Sequence, residues 1–121
     1  MTQAFKEPIF DRATAMERMG YSLSLFNELF ELYQKDSGNF LGEISDGIAT
    51  KNWELVTRSA HNLKSTSGNL GAMRVYGMAL LIEKYGKSKG TQECPVLVEQ
   101  VQAALAEFRA DVLKFLDTQK A

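Results

Sequence analysis

His61 is the only histidine among 121 residues, and it opens the run His61-Asn62-Leu63-Lys64-Ser65-Thr66-Ser67-Gly68-Asn69-Leu70-Gly71-Ala72. An unprotonated imidazole is a nucleophile, and its ordinary pKa near 6.5 keeps that form common at neutral pH. On a helical wheel of about 100° per residue, Val56, Ser59, Ala60, Ser67 and Leu70 fall within roughly 60° of Leu63. They make a small, apolar stripe fit for burial. His61 falls about 160° from Leu63, on the side that faces water. Gly68 lies about 20° from it two turns on, and Lys64 and Ser65 flank it one turn on. The pattern predicts an imidazole in solvent, with a cation beside it and little bulk along its C-terminal side.

Counting residues narrows the chemistry. One histidine and one cysteine, Cys94, cannot supply the four ligands of a structural zinc site. A nucleophile–histidine triad would need its histidine partly enclosed, not on an outer helix face. No carboxylate cluster near His61 in the sequence suggests a magnesium site. There is no G-x-x-x-x-G-K-(S/T) loop, and Gly68-Asn69-Leu70-Gly71 is too short and common a pattern to mean nucleotide binding.

The run resembles the signature of histidine-containing phosphotransfer domains, roughly H-x-L-K-G-x-x-x-x-(L/I/V)-G. His61, Leu63, Lys64, Leu70 and Gly71 match, and Gly68 is a common family choice. Ser65 departs, standing where the family usually has glycine. The resemblance implies that His61 is the phosphoacceptor of a His–Asp phosphorelay, taking a phosphoryl group from a receiver-domain aspartate and passing it to another receiver. Lys64 would stabilise the phosphate. Ser65, Gly68, Arg58 and Thr57 would form the surface through which partners gain access. Such a chain is a phosphocarrier and not an enzyme. It needs no cofactor, because the partner receiver brings the catalytic aspartate and the Mg²⁺. Response-regulator receivers and a hybrid sensor kinase are the expected partners, and the chain itself is expected to be monomeric. The alternative is a helical adaptor that docks receivers without carrying phosphate.

The elements that must position these residues read as helices throughout. Asp11 caps a short helix over 12–19 that ends at Gly20. Phe26, Leu29, Phe30, Tyr33, Phe40, Leu41, Ile44 and Ile48 keep helical phase across Gly38, which predicts one long helix over 23–50. Asn52 caps the helix that carries His61, running to Gly68 or Asn69. Val75, Met78, Ala79 and Ile82 mark another from Ala72 to about Lys84. Gly86-Lys87-Ser88-Lys89-Gly90 reads as the most flexible stretch. Cys94-Pro95 opens the last helix, striped by Val98, Val101, Leu105, Phe108, Val112 and Phe115. The expectation is all-α: an antiparallel four-helix up-and-down bundle with a short extra N-terminal helix.

Composition fits a single domain over 1–121, with 1–9 a loose N-terminal arm. The hydrophobic fraction of 45% and charged fraction of 24% match a folded globule and argue against disorder. A net charge of −1 gives no reason to expect nucleic acid or an anionic membrane as partner. No apolar run reaches the roughly 20 residues that span a bilayer. No signal sequence opens the chain, and a lone cysteine fits a reducing compartment, so the expected location is cytoplasmic.

Overall fold

A computed structural model of the chain describes residues 5–90 and 92–120. Its five helices are α1 (Arg12–Arg18), α2 (Leu23–Ala49), α3 (Trp53–Asn69), α4 (Met73–Lys87) and α5 (Cys94–Thr118). No strand occurs among the described residues. Helix α2 packs on α3, α3 on α4, α4 on α5 and α5 back on α2, which closes the antiparallel four-helix bundle, with α1 resting on α2. No helix among the described residues is long and apolar enough to cross a membrane.

Helices α1, α2 and α3 begin where the sequence supplies a side-chain acceptor for orphan backbone N–H groups. Asp11 Oδ1 accepts from the Thr14 backbone N–H at 3.1 Å, and Ser22 Oγ from Leu25 at 3.1 Å. Asn52 Oδ1 accepts from Leu55 at 3.2 Å and starts α3. Pro95 occupies the first turn of α5, where a missing N–H is harmless. The long α2 runs unbroken through Gly38. Between α3 and α4 the chain turns at Gly71, whose φ of +75° suits glycine.

The core is aromatic at one end and aliphatic at the other. Phe26, Phe30 and Phe108 are fully buried, and Phe108 stands edge-on to Tyr33 at 5.4 Å between centroids. Val56, Ala60, Leu63, Val75, Ile82, Leu97 and Val101 fill the rest. Tyr33 brings a polar contact into this interior: its hydroxyl meets Ser67 Oγ at 2.7 Å and ties α2 to α3.

Two expectations about connecting segments need correcting. The arm over 1–9 is not loose where it is described; residues 1–4 lie outside the described range. Phe5, Ile9 and Phe10 pack against the core. Phe10 meets Phe26, Phe108 and Phe115 at centroid distances of 5.8, 5.4 and 5.7 Å. Glu7 O accepts from Arg74 Nε at 2.8 Å, Pro8 O from the Arg74 N–H at 3.0 Å, and the Asp11 N–H donates to Gly71 O at 2.8 Å. The stretch 86–90 is likewise not all loop, because α4 continues through Gly86 to Lys87. Gly86 is buried: a Cβ there would collide with Thr57 Oγ1 and lie 3.0 Å from the Thr57 backbone nitrogen. Gly90, at φ +86°, seats against the Trp53 indole.

Candidate functional site

The stripe read from the sequence is the buried face of α3: Val56, Ser59, Ala60, Leu63 and Ser67 all point inward. That rotation leaves His61 on the outer face, with 56% of its side chain exposed, enough for another protein to reach it. Its partner comes from α4. Glu83 Oε2 lies 3.0 Å from His61 Nδ1, and Glu83 Oε1 lies 2.7 Å from Lys64 Nζ. Lys87, one turn further along α4, holds its Nζ 3.7 Å from the same Oε2. A single carboxylate thus gathers an imidazole and two ammonium groups.

Glu83 is itself only 8% exposed, so its protonation state is decided by its neighbours. Burial pushes its carboxyl up. The hydrogen bonds from Lys64 and His61, with the attraction of both groups, outweigh that and hold it below its ordinary 4.5. An ionised carboxylate has no proton to give, so Nδ1 is the donor in the contact. In the neutral ring the proton then sits on Nδ1 and the lone pair on Nε2.

The positions expected at this surface separate into three groups. Ser65 and Arg58 are exposed, and Thr57 is half-buried, its hydroxyl donating to Trp53 O at 2.8 Å. Arg58, Thr57 and His61 line one groove with Trp53, Lys87 and Lys89, and the carboxylates of Glu54 and Glu83 line it too, so three cations there face two anions. Gly68 is a correction: it is buried, and a Cβ there would lie 3.2 Å from the Tyr76 ring of α4. Its smallness serves the packing of α4 on α3. Lys64 stands beside His61 as expected, but it is only 18% exposed and its charge is directed at Glu83. Glu83 itself was missed. The signal for it was present: Val75, Met78, Ala79 and Ile82 define the inner face of α4, and Glu83 lies four residues after Ala79 on that face. A carboxylate there requires a cationic partner.

Among the described residues no three His, Cys, Asp or Glu side chains converge as a metal cluster. No curated protein matches the chain. Its structure is similar to the crystal structure of histidine-containing phosphotransfer protein B (HptB) from Pseudomonas aeruginosa PAO1, with a TM-score of 0.81 over 96% of this chain and 99% of that one. At 21% identity this likeness shows the bundle fold. The sequence family described as Hpt domain matches residues 28–111, a span that includes α3, α4 and the whole His61–Lys64–Glu83 contact. By that match the chain belongs to the Hpt domain family, the phosphocarrier modules of two-component signalling.

Proposed function

We propose that His61 carries the phosphoryl group, on Nε2, between the aspartates of receiver domains. The reading rests on one observation: Glu83 engages Nδ1 while the ring remains largely exposed on the bundle's flank. The Nε2 lone pair attacks the phosphorus of a partner's aspartyl phosphate in line with the departing carboxylate oxygen. An N–P bond forms as the P–O bond breaks, and the electron pair leaves with the aspartate. The ring gains positive character, which the Glu83 carboxylate offsets through the Nδ1 proton. Attack by a second receiver's aspartate on the same phosphorus reverses these events. The Mg²⁺ that offsets charge on the transferred group belongs to the receiver, and nothing in this chain has to bind it. Lys64 contributes through Glu83, keeping that carboxylate ionised. The groove, where Arg58, Lys87 and Lys89 outnumber the carboxylates of Glu54 and Glu83, is the face offered to the partner, whose phosphorylated site is anionic.

A radiolabelled, phosphorylated receiver tests this directly. The wild-type chain should take up acid-labile, base-stable label. His61→Gln should take up none while keeping its helical circular dichroism, since the residue packs against no core. A wild type that stays unlabelled by several receivers would leave a docking adaptor as the better reading.

A further inference from the structure

The charges at the site do not balance, and the imbalance has a use. Glu83 carries one negative charge and touches two ammonium groups, while His61 in its reactive form is neutral. Lys64 alone is enough to compensate the carboxylate. It lies at hydrogen-bond distance, 2.7 Å, and is mostly covered by its surroundings. Lys87 is held differently. Its Nζ stands 3.7 Å from Oε2, beyond hydrogen-bond length, and its side chain is 67% exposed. Its long stem is therefore restrained by little more than attraction, and its ammonium hovers over the oxygen that binds His61 Nδ1. Phosphorylation of His61 would bring nearly two negative charges next to an existing carboxylate. Without a free cation that juxtaposition is repulsive.

Resting on the carrier reading above, we propose that Lys87 is the residue that pairs with the phosphoryl group, while Lys64 is a positioning residue that acts through Glu83. Before transfer, Lys87 shares Glu83 with the ring. When the phosphoryl group reaches Nε2, the Lys87 ammonium turns from Oε2 to the phosphoryl oxygens, and Lys64 stays in place to keep Glu83 ionised. Helix geometry supports the division. Lys64 leaves α3 mostly covered and does not line the groove, whereas Lys87 leaves α4 one turn past Glu83 and lines the groove that holds His61.

The test uses the full chain phosphorylated by a receiver, freed of the donor and followed by ³¹P NMR against pH. A paired ammonium lowers the second pKa of the phosphoryl group, so Lys87→Gln should raise that pKa by about one unit. Lys87→Arg should restore most of the shift. Lys84→Gln, an equal charge loss on the same helix but on the side towards Phe5, should leave it unmoved. Lys64→Gln should instead change the ¹⁵N shifts of the unphosphorylated His61 ring, reporting a disturbed Nδ1–H tautomer, with a smaller effect on the phosphoryl pKa. An unchanged pKa in Lys87→Gln would overturn the inference, as would a larger change in Lys64→Gln. Both leave the carrier reading standing. Only failure of the wild type to accept label removes that reading.

Discussion

A carboxylate that is nearly buried and surrounded by basic groups keeps its charge only while those contacts last. Glu83 binds its proton more reluctantly in the folded chain than in the unfolded one, because its folded pKa lies below 4.5. The stability this provides is complete above the unfolded value and is lost as pH falls through the folded one. Urea midpoints measured from pH 7 downward should therefore drop below about pH 4.5 in the wild type. In Glu83→Gln that part of the drop should be absent, with the pH 7 midpoint already lower because Lys64 has lost its ion pair. Parallel acid limbs in the two proteins would show that Glu83 is not the titrating group. Residue by residue, the site was only half legible in the sequence. His61 and Lys64 are three apart on one helix, so a wheel places them together. Glu83 comes from a different helix, and only the packing of α4 on α3 brings it to Nδ1.

At the scale of elements, two glycines inside helices make opposite forecasts. Gly38 sits in α2 with nothing near the position a Cβ would take. Gly38→Ala should stabilise the chain by about 0.5–1 kcal/mol, since alanine loses less backbone freedom and nothing is crowded. Gly86 lies where α4 crosses Thr57 of α3, with the Thr57 Cα 3.2 Å from the built Cβ. Gly86→Ala should cost roughly 1–3 kcal/mol, and trimming the hydroxyl with Thr57→Ala should recover only part, because backbone atoms also obstruct. Chemical denaturation of the three variants checks both signs. The phase of apolar residues across Gly38 made α2 readable despite its loop-like Asp36-Ser37-Gly38-Asn39. Gly86 and Gly68 were misread for the same physical reason. What covers a helix flank is the neighbouring helix, and a wheel of one helix carries no information about it.

Taken whole, the molecule is a bundle whose fold class was plain from four apolar stripes of helical period. The fastening of its beginning was not. A segment of a few residues has no period to read, and the contacts of residues 5–11 reach Arg74, Gly71 and the aromatic end of α5. Phe10→Ala should cost about 2–4 kcal/mol by emptying a place shared by three phenylalanines, measurable as a lower urea midpoint. Label uptake at His61 should survive in the fraction that stays folded, because the strap lies away from the groove. The openness around His61 has a cost in time. Among the described residues none closes over the 56% of the His61 side chain that is exposed, so a phosphoramidate formed there would meet bulk water from its first instant. How long such a signal would persist is then governed by a race between hydrolysis and the arrival of the next protein.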